Sequence, residues 1–284
     1  MSSCVGVYKV DYIRELRNLT KRFIKQFGNT CNFNWIDTSD MRYMKELFAY
    51  SDFNGDISQW DVSNVENMED MFAGSKFNGD ISRWDVGNVE NMQFMFACSD
   101  FNGDISKWDV SSVMTMHSMF YGSKFTGDIS KWDVSNVKDM NAVFESSQFN
   151  GDISEWNTGN AVSMSFMFSD SKFNGDISRW DVSNVIYMRC MFRRSEFDGD
   201  VSSWNVSNVT NMAGMFESSK FNRDISGWNV SNVTTMCEMF YMSKFNGEIG
   251  DWDVSNVRDM SMMFQGSWFN KDISKWDLSG LQDF

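Results

Sequence analysis

The chain has 284 residues, 42% of them hydrophobic, with a formal net charge of -14 and a pI near 4.5. The hydrophobic content is typical of a folded protein, and so acidic a surface disfavours nucleic-acid binding. No segment approaches about 18 consecutive apolar residues, so no membrane span is predicted. The opening residues, MSSCVGVYKVDYIREL, contain no apolar run of signal-peptide length. We therefore expect a cytoplasmic protein, with a virion-associated location or non-classical display at the cell surface as alternatives.

Residues 1–34 are predicted to form an N-terminal helical cap. The stretch DYIRELRNLTKRFIKQFG has an amphipathic pattern, with Asp11 as the expected N-cap and Gly28 as the expected stop. Its apolar stripe consists of Ile13, Leu16, Leu19, Phe23 and Phe27. Repeat arrays need such an element to cover the edge of the first coil. A basic face leaves a membrane-surface or partner helix as the alternative; it consists of Arg17, Lys21, Arg22 and Lys25.

From residue 35 to residue 284 the sequence repeats with a period of 24 residues. A partial unit, NWIDTSDMRYMKELFAYS, precedes ten repeats with a 24-residue period, of which the last is truncated. The ten units begin at Phe53, Phe77, Phe101, Phe125, Phe149, Phe173, Phe197, Phe221, Phe245 and Phe269. A fixed period in this range is typical of a stacked repeat array. Residues 35–284 are therefore expected to form one solenoid behind the cap.

Each unit contains two apolar patterns. Trp60 and Val62 alternate around Asp61, which predicts a short strand with one buried face. The next apolar residues, Val65, Met68, Met71 and Phe72, have helical or 3₁₀ spacing. We therefore expect an α/β repeat with short parallel strands and short helical or 3₁₀ segments.

Two polar columns are expected to support the stack. Asn64 recurs in most units and predicts an amide ladder between coils. Asp56 recurs in the motif GD-I and predicts capping of backbone N–H groups at a turn.

The full repeat, DIS-x-WDVSNV-xx-M-xx-MF-xx-S-x-FNG, resembles that of the BspA-like leucine-rich-repeat family, from about Ile36 to Leu281. The leucine-rich core of that repeat can be matched to Ile57, Trp60, Val62 and Val65, with Val65 in place of the usual asparagine. The resemblance implies a right-handed solenoid with a parallel sheet on one side. It also implies an alternative function, because similar proteins are surface adhesins that bind host protein or glycan.

A column of carboxylates follows the tryptophans and is expected to face outward. Its members considered for partner binding are Asp61, Asp85, Asp109, Asp133 and Asp181. Basic residues precede the tryptophan in five units and suggest a self-compensating charged face, with a recognition surface as the alternative; they are Arg83, Lys107, Lys131, Arg179 and Lys275. Calcium between the coils is disfavoured, because the chain has no EF-hand or G-G-x-G-x-D repeat.

One unit departs from the acidic trend. Arg179, Arg189, Arg193 and Arg194 are predicted to cluster around Phe192. Such a cluster would suit an acidic partner, and a solvated patch is the alternative.

The end of the sequence predicts an open edge. After Trp276 the chain continues only as DLSGLQDF, which places Trp276, Leu278 and Leu281 near an unpaired edge of the array. Two interpretations are open: Phe284 folds back over this edge, or the edge docks on a partner or on a second copy of the chain.

No catalytic or cofactor motif is found. His117 is the only histidine, so a histidine-based triad or a multi-histidine metal site is not expected. The chain contains no P-loop and no G-x-G-x-x-G motif, so no cofactor is expected. The sequence thus predicts a non-catalytic scaffold, a protein–protein interaction module or a structural assembly protein, with partners of unknown identity.

Overall fold

The computed structural model describes residues 7–282. Its regular elements are β1 (Tyr8–Lys9), α1 (Ile13–Phe27) and β2 (Ile36–Asp37), and β1 pairs with β2 in parallel. The rest of the described chain consists of turns and isolated parallel bridges. From Tyr43 to Asp259, each bridge joins a residue to the equivalent residue of the next unit. The units therefore stack coil on coil.

A backbone ladder joins each coil to the next. In the reference coil, residues 53–76, the N–H groups of Met68, Asp70 and Phe72 donate to carbonyls of the following coil at 2.9 Å. The N–H groups of Met71 and Ala73 instead donate within the coil, to carbonyls three residues earlier. Bonds between coils and bonds that close turns thus alternate along the backbone.

The strand predicted at Trp60 and Val62 is wrong for the repeated coils. The N–H group of Trp60 donates to the Ile57 carbonyl at 3.1 Å, and that of Val65 donates to the Val62 carbonyl at 2.9 Å, so this segment consists of turns. A strand occurs at the equivalent position only in the partial first coil, where β2 pairs with β1 of the N-terminal arm. Consecutive turns bury alternate side chains as a strand does, and the sequence pattern is therefore the same.

The helical or 3₁₀ segment predicted from Val65 to Phe72 is also wrong, although its apolar side chains are fully buried as expected. Asn67 forms bridges to both neighbouring coils, and Asp70 has a φ of 57°. A left-handed residue at this place interrupts any right-handed helix. Val65, Met68 and Met71 are three residues apart because the chain forms successive turns, and the N–H groups of Val65 and Met71 each donate to the carbonyl three residues earlier.

Two positions in each coil are left-handed, namely those of Asp70 and Gly74 and their equivalents, with φ between 50° and 71°. In the described chain these positions hold four glycines and sixteen other residues, none of them β-branched. β-Branched side chains are the most restricted at positive φ. Each of the other residues accepts a steric cost of about 1–2 kcal/mol that glycine would avoid.

The core is a continuous stack of aromatic rings. Equivalent rings of the Phe72 column lie 5.7–5.9 Å apart, whereas those of the Phe77 column lie 6.0–6.4 Å apart. Phe72 belongs to the bridged segment and Phe77 lies beyond it. The coils are therefore most closely spaced on the side that carries the bridges.

Away from the bridges, side chains connect the coils. Trp84 Nε1 donates to the Ile57 carbonyl at 3.2 Å, and Asn88 Nδ2 donates to the Ser63 carbonyl at 2.7 Å. The tryptophan bond recurs as far as Trp276. The amide ladder predicted for the Asn64 column is confirmed, with each amide donating to the backbone of the preceding coil.

Helix α1 lies against the first coil. Leu16 and Leu19 are buried, and Arg17 Nη2 donates to the Lys45 carbonyl at 2.7 Å. Gly28 ends the helix with a φ of 92°. The prediction of Asp11 as the N-cap is wrong, because the helix begins after Tyr12 without a side-chain cap. Phe27, assigned to the buried stripe, is exposed because it is the last helical residue, beyond the contact with the first coil.

The left-handed positions can be tested with a matched pair of alanines. Ala142 and Ala97 are both 6% exposed, but only Ala142 has positive φ, at 55°. Both glycine substitutions remove a buried methyl group, and both raise the conformational entropy of the unfolded chain by the same amount. Only Ala142→Gly also relieves left-handed strain, so we expect Ala97→Gly to be the less stable variant by about 1–2 kcal/mol. Urea unfolding measures this difference, and equal losses of stability would contradict it.

The amide ladder has a gap that permits a gain-of-stability test. Ser112 occupies the ladder position in one coil, and the register places the Gly87 carbonyl opposite it. We expect Ser112→Asn to stabilise the protein by about 0.5–1.5 kcal/mol through one additional hydrogen bond. Asn136→Ser, which removes the bond to the Ser111 carbonyl, should lose a similar amount. A Ser112→Asn variant with unchanged stability would show that the ladder contributes nothing measurable.

Candidate interaction surface on the bridged face

Six variable positions of the repeat come together on one surface. We call it the bridged face and define it by residues 66, 67, 69, 70, 73 and 74 of the reference coil and their equivalents. The position of Glu69, for example, holds His117, Arg189 and Cys237 in other coils. The core positions of Phe53 and of the tryptophans are nearly constant. The bridged face therefore presents a different set of side chains in each coil.

The first coils make this face acidic. Glu66 and Glu69 pair with Arg42 and Lys45 of the preceding coil, the second pair at 2.7 Å. Burial raises the pKa of Asp70, and the neighbouring Glu69 and Glu46 raise it further. At this end of the face, Glu66 and Glu69 are thus paired with basic side chains, whereas Asp70 lies close to other carboxylates.

The central coils combine aromatic and ionisable side chains. The ring of Phe94 meets that of His117 edge-on at 5.0 Å, and His117 Nδ1 lies 3.7 Å from Asp139 Oδ2. Burial raises the pKa of Glu145, and Asp170 adds to this effect. These residues come from successive coils, so the surface they form depends on the stack.

The arginines predicted to cluster around Phe192 do not form one group, and this prediction is wrong. Phe192 is fully buried in the core. Arg179 lies in the column of Gln59, outside the bridged face, 3.4 Å from Glu155 of the preceding coil. Residues ten apart in a coil of 24 occupy different sides of it, so Arg179 is separated from Arg189.

The other three arginines lie on the bridged face, and two of them are ion-paired. Arg193 Nε lies 2.8 Å from Glu217 Oε2, and Arg194 lies within 3.9 Å of Asp170 and Glu217. The guanidinium carbon of Arg189 lies 5.7 Å from the centroid of the Phe166 ring. Arg189 is thus the member of this group that is placed on an aromatic ring instead of beside a carboxylate.

The carboxylate column after the tryptophans forms turns. In Asp61, Asp85, Asp109, Asp133 and Asp181, one carboxylate oxygen accepts the N–H group two residues later, at 2.9–3.1 Å. Hydrogen bonds from Ser111 and Ser183 hold the pKa values of Asp109 and Asp181 below their usual 3.8. Partner binding by these exposed carboxylates stays a prediction.

A signal for these turns was present in the sequence. Asn157, Asn205 and Asn229 replace aspartate in the same column and accept equivalent bonds. Asparagine and aspartate are interchangeable in an Asx turn because both offer a side-chain oxygen. For the Asp56 column, the predicted capping is confirmed by the bond from the Ser58 N–H group at 3.0 Å.

The residues predicted near an open edge begin a further coil. Trp276 is buried and its indole donates to the Ile249 carbonyl at 3.1 Å; Leu281 is partly buried, and Leu278 is 39% exposed. Sequence reasoning missed Trp268, which is 66% exposed beside this edge. Phe284, the predicted plug, lies outside the described residues. Self-association through this edge stays a prediction.

Residues 7–282 show neither a metal site nor a membrane-spanning helix. No cluster of three or more histidine, cysteine, aspartate or glutamate side chains there has a geometry that could hold a metal ion. None of the helices in that range has the length and apolar character needed to cross a bilayer.

Parallel bridges at every repeat and a constant core define a tandem-repeat protein built of 24-residue coils. A family described as "Mycoplasma protein of unknown function, DUF285" matches it three times, over residues 17–127, 123–220 and 194–284. The chain belongs to this family. No curated protein matches the chain, and no solved structure matches it.

The aspartate turns predict sensitivity to acid. A lowered pKa in the folded state gives stability that is present above the usual value of 3.8 and is lost as the pH falls through the folded-state value. We expect the double variant Asp109→Asn, Asp181→Asn to keep both turns and to lose less stability than the parent between pH 7 and pH 3. Thermal unfolding followed by circular dichroism at the two pH values measures this.

Asp70→Asn is the control of opposite sign. The pKa of Asp70 is raised, so its ionisation costs stability as the pH rises through the folded-state value. The stability of this variant relative to the parent should therefore be greater at pH 7 than in acid. Identical pH profiles for the parent and both variants would contradict the assignment.

Proposed function

We propose that this protein is a non-catalytic repeat scaffold whose bridged face binds a protein partner. One observation carries the proposal: the left-handed positions of this face hold sixteen residues other than glycine among the described coils. Glycine is the least strained choice at such positions. Thirteen of the sixteen are partly or fully exposed, and their retention is best explained if they serve at the surface.

The side chains at these positions support a role in recognition. They include Phe94, Phe166, Arg194 and Met242, which are chemically diverse and costly in this conformation. None of them belongs to the buried core formed by the phenylalanine and methionine columns. Strain that is not repaid in the core is consistent with selection for contacts outside the chain.

The spacing of the coils suits a protein partner. Bridged segments of neighbouring coils lie about 4.8 Å apart, and the bridged side is the more closely spaced side of the stack. A partner laid along this face would contact variable side chains from several successive coils. A small ligand would contact only one or two.

We also propose a more specific repeat type and a handedness for the solenoid. The repeat motif supports a BspA-like leucine-rich-repeat type, although the bridges follow Val65 and not Trp60. A right-handed solenoid is favoured because parallel crossover connections are almost always right-handed.

The proposal is tested by comparing two triple variants in quantitative affinity purification from the cells that express the protein. Met114→Ser, Tyr121→Ser and Tyr187→Ser change exposed side chains of the bridged face. Arg83→Ser, Lys107→Ser and Lys131→Ser change exposed residues outside it. We expect partners of the parent protein to be lost with the first variant and kept with the second.

Circular dichroism must first show that both variants retain the fold of the parent. All six substitutions leave the buried columns intact, so comparable unfolding temperatures are expected. Equal recovery of every partner by both variants, or selective loss with the second, would overturn the assignment of the binding surface.

A further inference from the structure

We infer that Val162, Phe166, Ile186, Tyr187 and Arg189 form a docking platform for an acidic protein segment flanked by apolar residues. The inference rests on the proposed function and specifies where on the bridged face the partner binds and with what chemistry. These five residues come from two adjacent coils in the middle of the stack. We call them the Arg189 platform.

The backbone ladder fixes the centre of the platform. The Phe166 N–H group donates to the Arg189 carbonyl at 2.8 Å, so the two residues are held side by side in neighbouring coils. The guanidinium carbon lies 5.7 Å from the ring centroid, within the range of a cation–π interaction. The ring therefore supports the positive charge and limits the directions in which it can move.

Phe166 occupies a strained position without contributing to the core. Its φ is 59°, and its side chain is only partly buried. A bulky residue at positive φ is an outlier that calls for a reason. Support of the Arg189 guanidinium provides that reason, because no smaller residue at this position would offer an aromatic face.

The positive charge of Arg189 is available to a partner. The adjacent Arg193 and Arg194 are ion-paired with Glu217 and Asp170, whereas Arg189 forms no ion pair within residues 7–282. The equivalent residues in the neighbouring coils are Ser165 and Ala213, which are small and uncharged. A carboxylate from a partner could therefore approach and form a charge-assisted, two-pronged hydrogen bond.

Apolar side chains adjoin this charge. The Ile186 N–H group donates to the Val162 carbonyl at 2.9 Å, which places these two aliphatic residues in register on adjacent coils. Both are partly exposed, and Tyr187 is 47% exposed. Tyrosine and arginine are among the residues enriched in the energetic hot spots of protein interfaces, and the aliphatic pair extends the apolar surface beside them.

Charge complementarity determines the occupant. The chain carries a net charge of -14, so Arg189, which has no ion-pair partner within residues 7–282, forms a local positive site on an acidic protein. A basic segment would be repelled by Arg189. An acidic residue next to aromatic or aliphatic residues satisfies both halves of the platform.

The test uses a displayed library of random peptides, selected separately on the full-length parent, on Arg189→Glu and on Arg83→Glu. Arg83 is an exposed arginine outside the bridged face, so its variant applies the same change of charge elsewhere. We expect the parent and Arg83→Glu to enrich peptides in which Asp or Glu adjoins aromatic or aliphatic residues. Arg189→Glu should not enrich them.

Fluorescence anisotropy with the peptide most enriched by the parent then gives affinities. Arg189→Glu should weaken binding by at least about tenfold, because it replaces a charge-assisted pair by a repulsive one, and Arg83→Glu should change it less than about twofold. Phe166→Leu, which keeps an apolar side chain but removes the aromatic support, should weaken binding to an intermediate extent.

Three outcomes would overturn the inference: enrichment of basic or neutral peptides, absence of any enriched class on the parent, or equal binding by Arg189→Glu. Equal binding by Arg189→Glu together with loss of binding in Tyr121→Ser would refute the platform alone. In that case the bridged face would still be the interaction surface. Insensitivity to both substitutions would count against the proposed function as well.

Discussion

The alternation of backbone hydrogen bonds is the constraint on which the rest of this structure depends. In the bridged segment, one N–H group donates to the next coil and the following one closes a turn within its own coil. The chain can satisfy both kinds of bond only by reversing direction every few residues. Left-handed residues at the positions of Asp70 and Gly74 make these reversals possible. The coil is thus neither helical nor strand-like, yet every backbone N–H group from residue 68 to residue 75 has a hydrogen-bond partner.

The same constraint explains which positions of the repeat are constant. Each coil is the template for the next, so side chains that bond to the backbone of a neighbouring coil recur in most units. The indole of Trp84 and the amide of Asn88 both donate to carbonyls of the preceding coil, and both recur along the chain. Residues of the bridged face make their inter-coil contacts mainly through the backbone. Their side chains are therefore free to differ from one coil to the next.

The sequence predicts the stack, the buried columns and the two polar ladders, but not the local conformation of the coil. The period of 24 residues and the recurrence of Trp60 are direct consequences of stacking, and they are visible without coordinates. Whether Val65, Met68 and Met71 form a helix or successive turns depends on φ at Asp70. Aspartate is compatible with both signs of φ, so composition could not decide between them. The absence of β-branched residues from this column was a usable signal, but it appears only after all coils are aligned.

The candidate surface was less predictable than the fold, because proximity in a stacked array follows columns and not neighbours in sequence. Arg179 and Arg189 belong to one unit but lie on different sides of the coil, whereas Phe166 and Arg189 are 23 residues apart and in contact. The informative comparison is thus between a residue of one coil and those of the next coil that the ladder places beside it. By this criterion Arg193 is neutralised, because Glu217 of the next coil lies beside it. Arg189 is available to a partner, because the residues beside it in the adjacent coils are small and uncharged. Function in this array is therefore to be sought where adjacent coils differ, since identical columns can only repeat the interactions that hold the stack together.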